Sequence, residues 1–356
     1  MKLVLKPLVV LLAIMFLTAI IVGCSNEESS SESTGNTEET AEAEQTDEAE
    51  ESAETVADEM NDSSEDAVDY PTEPITFVVP AGAGGDTDLN ARTLGKYLEE
   101  ELGQPVVISN VTGAGGTVGA REVLDAEADG HTALFFHNSM LLNKILGLVD
   151  FSYEDMKLAG IAVLDQGNTF MVSADSEFED LQDMIEFASA NPGEVSIATE
   201  VGGFTHLQLL ALEKDQDIEL NIVDVGGAAD KIAALLGGHI DIVPTSLGLV
   251  TEYVESGDMR SLGIMAEDSV DLMPDVPTFK EQGVDSSFEK FFFLGFPEET
   301  PDEIVEAFST ALEKVVNNEE YVAEANKFLV SPTYMNPQEA FDYMQETEAY
   351  YTELSE

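Results

Sequence analysis

One unit recurs along this chain and constrains its fold more than any other feature: a short apolar segment with strand character that runs into a glycine-rich loop and then a helical stretch. Ile75 to Pro80 leads into AGAGGDTD (Ala81 to Asp88) and an amphipathic pattern from Leu89 to Leu102. Pro105 to Ser109 leads into NVTGAGGTVGA (Asn110 to Ala120) and a helix through Ala126, and Thr132 to Phe136 ends at His137-Asn138-Ser139. Strands are expected at Leu158 to Val163 and Phe170 to Val172, with a helix from Asp180 to Ala190. A second series then follows: Glu194 to Thr199 into VGGFTH (Val201 to His206), Glu219 to Val225 into Gly226-Gly227, and Ile240 to Val243 into Thr245-Ser246. This alternation predicts α/β architecture with mainly parallel sheets. Two series of about a hundred residues each predict two similar lobes. The helices near Pro301 to Asn317 and Pro337 to Leu354 are expected to pack back on the first lobe.

Glycines at a strand-to-helix junction let the backbone turn tightly and aim its unpaired N–H groups past the helix start, where anions bind. Neither loop of the first series has the lysine of a phosphate-binding GxxxxGK[ST] motif, and Gly113, Gly115 and Gly119 are spaced GxGxxxG instead of GxGxxG. A nucleotide site is therefore disfavoured. Two such loops at the strand ends of one lobe, facing VGGFTH of the other, suggest a shared small-ligand site. Fourteen Lys plus Arg against 72 Asp plus Glu give a formal charge of -58, which excludes nucleic acid as a partner. A single cysteine and four scattered histidines supply no metal-ligand spacing, so neither a metal nor a cofactor is expected. His137, His206, Asp86, Asp88, Thr205 and Ser246 could be imagined as an acid–base set. There is no GxSxG elbow and no carboxylate pair fixed by spacing, so an exported enzyme is the weaker alternative.

The lone cysteine has a specific context. Lys2 and Lys6 precede an uncharged apolar run, Leu8 to Val22, which closes with Gly23 before Cys24. This is the pattern of a bacterial lipoprotein signal (residues 1–23), with Cys24 as the lipidation site; the run is short for a spanning helix, and an uncleaved anchor is the alternative. Residues 24–70 read as a disordered tether. Ser25 to Tyr70 contains eighteen acids and no Lys or Arg, too little apolar surface to offset the entropy of ordering. Residues 71–356 still hold 54 acids against 12 bases, a body at -42.

YPTEPITFVVP, AGGDTDLNAR, NVTGAGGTVGA, ADGHTAL, NPGEVSIAT, THL, LLGGHID, MPDVPTFKEQGV and PEETPDEIVEAF follow one another between about residues 70 and 348. In that order and spacing they resemble the substrate-binding proteins of tripartite tricarboxylate transporters, the Bug-type extracytoplasmic solute receptors. The resemblance implies an α/β, two-lobed, periplasmic-binding-protein-like fold of type II with a hinged ligand cleft, residues 71–168 and 267–356 forming lobe 1 and residues 169–266 forming lobe 2. It also implies a small organic carboxylate as ligand and a two-component membrane permease as partner; the signal pattern, not the resemblance, is what places the receptor outside the cytoplasm, held at the membrane surface by a lipid on Cys24. A phosphate or sulfonate receptor of another transport system is the alternative.

Carried over position by position, the resemblance places Ala83, Gly84, Gly85, Asp86, Thr87 and Asp88 in a first carboxylate-facing loop. It places Gly113 to Gly119 in a second, with Gly115, Gly116 and Thr117 toward the ligand, Asn138 and Ser139 at the next strand end, and Val201 to His206, including Phe204, Thr205 and His206, with Thr245 and Ser246 on the opposite wall. Asp88 is expected to organise the first loop. Where many members have a Val-Pro-Tyr-Lys-Gly turn, this chain has Val223-Asp224-Val225-Gly226-Gly227. Loss of that ammonium predicts recognition by backbone amides, hydroxyls and water.

Overall fold

The chain crosses twice between two β-sheets, and the cleft lies beside those crossings. A computed structural model describes residues 68–355. The signal segment 1–23, Cys24 and the tether up to residue 67 lie outside the described residues. No helix among the described residues is long and apolar enough to cross a membrane.

In chain order the first half holds β1 (Ile75–Val79), α1 (Asp86–Leu102), β2 (Val106–Asn110), α2 (Thr117–Leu124), β3 (Thr132–His137), α3 (Ser139–Ile145) and β4 (Met156–Asp165). Next come β5 (Asn168–Ser173), α4 (Leu181–Ala190), β6 (Ser196–Thr199), α5 (Phe204–Gln216), β7 (Asn221–Asp224), α6 (Ala228–Leu236), β8 (Ile242–Ser246), α7 (Thr251–Ser256) and β9 (Met259–Ile264). The chain ends with β10 (Lys290–Pro297), α8 (Asp302–Val316), α9 (Glu319–Ala325), β11 (Ser331–Met335) and α10 (Pro337–Ser355).

Six strands form one sheet in the order β11-β4-β10-β3-β1-β2, and five form the other, β7-β6-β8-β5-β9. Both are mixed, which corrects the expectation of mainly parallel sheets. The β1–β2, β1–β3, β6–β7 and β6–β8 pairs are parallel, as the βα units require. The strands at the crossings run antiparallel to their neighbours: β10 to β3 and β4, and β5 to β8 and β9. A strand that enters a sheet directly from the other sheet, with no crossover helix, is free of the handedness rule that keeps βαβ strands parallel.

Burial follows the sequence. β10, KFFFLGFP, is buried at every residue, as a strand covered on both faces must be. On one face of the first sheet, α1 and α8 cover Phe77, Phe135, Phe292 and Leu294. On the other, the core runs continuously into the second lobe through Phe170, Phe204, Phe288 and Tyr351. Thus α10, expected on the first lobe, also reaches α5: Tyr351 stacks on Phe288 and approaches Phe204.

The first crossing is the tight Asp165-Gln166-Gly167-Asn168 link. The Asp165 carboxylate accepts from the Gly167 N–H at 2.9 Å, and the Asn168 amide donates to the Asp165 and Phe288 carbonyls at 3.0 and 3.2 Å. Phe288 belongs to the return link and donates its N–H to Met265 at 2.7 Å, so the two crossings lie side by side.

Candidate functional site

A polar cleft of about 360 Å³ opens beside the crossings. From the first lobe it is lined by the Pro80–Gly82 turn, Gly85, Asp86, Thr87, Thr112, Gly113, His137, Ser139 and Lys290. The second lobe contributes Glu200, Gly203 to Thr205, Gly226 to Ala228, Asp230, Lys231, Thr245 and Ser246.

Three of these helices start the same way. The N-caps of α1, α5 and α6 are Gly85, Gly203 and Gly227, all on the cleft wall, and no side chain caps any of them. A glycine cap leaves the first-turn N–H groups open to a ligand and lets it approach the backbone. Each such terminus carries a partial positive charge. The lobes meet around these starts: the Phe204 N–H donates to Ser139 Oγ at 2.8 Å, and the Gly85 Cα lies near the Ala228 side chain.

Two buried lysines lie among these helix starts. Lys290, 6% exposed, pairs with Asp86 across the floor of the cleft. Burial raises the Asp86 carboxyl, but the Lys290 ammonium outweighs it and holds it far below the ordinary carboxylate range. Lys231, 5% exposed, reaches only the Thr205 hydroxyl, at 3.4 Å, and forms no ion pair with a carboxylate of the described residues. Burial, with the repulsion of Lys290, lowers its ammonium to about 8. His137 stays neutral: burial and then Lys290 push it down to about 3, and its Nδ1 accepts from the Ser139 N–H at 3.2 Å. Asp165 lies behind the cleft with one carboxylate oxygen unpartnered, and burial raises its pKa against the pull of Lys290. Glu200, on the cleft wall, is raised by burial as well, opposed by Lys231. Thr245 Oγ1 is buried at the cleft without a partner among the described residues.

Of the residues expected from the sequence, Gly85, Asp86, Thr87, Gly113, Ser139, Gly203, Phe204, Thr205, Thr245 and Ser246 line this cleft. The others lie beside it. Ala83 and Gly84 form the outer turn of the first loop, and Asp88 holds that turn by accepting from the Gly84 N–H at 2.8 Å while it also pairs with Arg92 and Asn110. Gly116 packs on Phe136, with no room for a Cβ, and Gly115 abuts Gly202 of the other lobe while its carbonyl accepts from Asn143. Thr117 is buried at the start of α2. Asn138 donates to the Glu289 carbonyl and the Tyr351 hydroxyl. His206 turns toward its own loop, where Nδ1 accepts from the Gly202 N–H at 3.4 Å.

Beside the backbone amides and hydroxyls expected from the sequence, the cleft holds two ammonium groups, Lys231 and Lys290, that were not expected there. The turn at Gly226-Gly227 carries no ammonium, but Lys231, four residues further on in the first turn of α6, lines the same cleft. Its signal was present in the sequence: Lys231 and Leu235 are four apart, so the lysine sits on the apolar stripe of an amphipathic helix. Lys290 had a similar signal, a charge at the head of an otherwise apolar strand.

Two mixed α/β lobes joined by paired crossings, with helix starts from both aimed into one polar cleft, define a periplasmic-binding-protein-type solute receptor. The tripartite tricarboxylate transporter family receptor profile matches residues 90–355, and the chain belongs to that family. Among curated relatives, the UPF0065 protein in the gbd 5' region of Cupriavidus necator is 30% identical over 282 residues, 78% of this chain and 85% of that protein. Protein BugT of Bordetella pertussis is 32% identical over 218 residues, 60% of this chain and 67% of BugT. Among solved structures, an R. palustris protein with adipate superposes with TM-score 0.76 at 23% identity, covering 81% of this chain and 97% of that one. MatC from Rhodopseudomonas palustris with bound malate gives 0.76 at 22%, covering 81% and 100%. At these identities the likeness is one of fold.

Proposed function

We propose that this receptor binds a small organic carboxylate outside the cytoplasm and delivers it to a tripartite tricarboxylate-type membrane permease, held at the membrane by a lipid on Cys24. The observation that carries the ligand class is Lys231: a buried ammonium without a carboxylate partner among the described residues, set between the starts of α5 and α6. An ammonium kept in that position is costly to the fold unless an anion completes it. The carboxylate lies against Lys231, Thr205 and the N–H groups after Gly203 and Gly227, with Ser139, Thr245 and Ser246 as further hydrogen-bond partners. The adipate-bound and malate-bound proteins of the same fold support this class.

A thermal-shift screen of carboxylates, phosphates and sulfonates tests the reading. A carboxylate at 100 times its dissociation constant is expected to stabilise the protein by about 2.7 kcal/mol. Response to phosphates or sulfonates alone would assign the cleft to another anion. For the anchor, Cys24→Ala is expected to release the protein from the membrane fraction or block processing; unchanged retention and cleavage would remove the lipid from the account.

A further inference from the structure

Resting on the carboxylate-receptor reading, we infer that the cleft selects a ligand with one ionised carboxylate, seated on Lys231, and that Glu200 excludes a second. Two ammonium groups face the cleft, but only one is available. Lys290, buried, is in ion pair with the largely covered Asp86, so that couple contributes no net charge. His137 adds none either, because its Nδ1 is an acceptor for the Ser139 N–H and its ring packs against Phe136 and Phe292. Arg92 is turned away, onto Asp88 and Asn110. Lys231 therefore supplies the one ammonium on the wall that is not in direct ion pair with a carboxylate of the described residues.

Acids flank it. Glu200 directly follows β6, at the head of the loop that leads into α5, Asp230 is the neighbour of Lys231 in the first turn of α6, and both line the cleft. Neither forms an ion pair with a cation of the described residues. With Glu200 and Asp230 beside it, Lys231 is the one place on this wall where a ligand carboxylate meets a cation, and a second carboxylate would face the two acids with no cation left to offset it. An uncharged polar end meets the unpartnered Thr245 hydroxyl instead, and an ammonium would meet the acids themselves. Specificity here comes from repulsion as much as attraction. A tricarboxylate is the poorest match to this set of charges.

Calorimetry on the full chain with matched acids decides the matter: succinate against succinamate, glutarate against glutaramate, phthalate against phthalamate, with citrate as the trianion. In the pair that binds, the monoamide is expected at least tenfold tighter than its dianion, about 1.4 kcal/mol, with citrate weaker still. Lys231→Met should weaken the monoamide at least tenfold. Glu200→Gln should bring the ratio of monoamide to dianion affinity toward one, a change that a purely structural role for Glu200 would not produce. Glutamine against glutaramate separates an amino-acid ligand from an acid with an uncharged tail. A dianion or citrate binding more tightly than its monoanionic counterpart would overturn the single-carboxylate inference and leave the receptor reading standing. An unchanged ratio in Glu200→Gln would overturn the role of Glu200. No heat from any acid would overturn both readings.

Discussion

At Lys231, burial lowers the ammonium from its ordinary 10.5 to about 8. Because the folded value is depressed, the unfolded chain binds more protons between pH 8 and 10.5, and stability rises with pH across that window. The penalty is fully present below pH 8 and is on the order of 3 kcal/mol. Lys231→Met is therefore expected to raise the melting temperature of the ligand-free protein by several degrees at pH 7 while it weakens carboxylate binding at least tenfold. The gain over the parent should shrink toward pH 10.5. A lower melting temperature in the variant would show that the ammonium stabilises the ligand-free fold. The proposed role of Lys231 thus sets stability against binding at one residue. The same residue shows why the site was only partly legible in the sequence. The glycine loops announce helix starts through their spacing, so Gly85 and Thr205 could be placed on the cleft wall. Whether a lysine inside α6 faces solvent or the cleft depends on which side of the helix the sheet covers. Lys290 is harder still, since its carboxylate partner Asp86 is 204 residues away.

Among elements, the loop between β2 and α2 looks like a ligand loop and serves largely as a packing joint. Gly116 has φ of 93° and lies directly on the Phe136 ring. Gly116→Val is expected to destabilise by about 2–4 kcal/mol in urea unfolding, through overpacking and backbone strain. Gly85 has ordinary φ and room for a Cβ, so Gly85→Ala should leave stability within about 1 kcal/mol and act on binding alone. Equal loss of stability in both variants would contradict this division. The βα units were legible because each carries its own punctuation of strand, glycine and helix. β11 was not: it contains Pro332 and has little apolar character, and it is a strand only because it pairs with the edge of β4. The antiparallel direction of the strands at the crossings escaped for a related reason, since it is set by which sheet the chain enters.

Over the whole molecule, a body at -42 is surrounded by its own like charges, while its buried cations, Lys231 and Lys290, lie at the centre. Exposed ion pairs such as Lys96–Glu324 and Lys314–Glu101 offset little of that repulsion. Salt screens it: the Debye length falls from about 8 Å at 0.15 M to about 3 Å at 1 M. The melting temperature is therefore expected to rise with NaCl from 0.05 to 1 M, and a flat or falling curve in calorimetry would contradict the self-repulsion account. The same acidic surface bears on how fast a ligand arrives. Most receptors for charged solutes use their surface field as a funnel, so that capture slows when salt is added. Here an anion must first climb a repulsive potential before it meets the ammonium inside. The barrier to entry is at the rim and the attraction is within, so added salt should speed encounter in stopped-flow traces, and residence time should be governed by the interior alone.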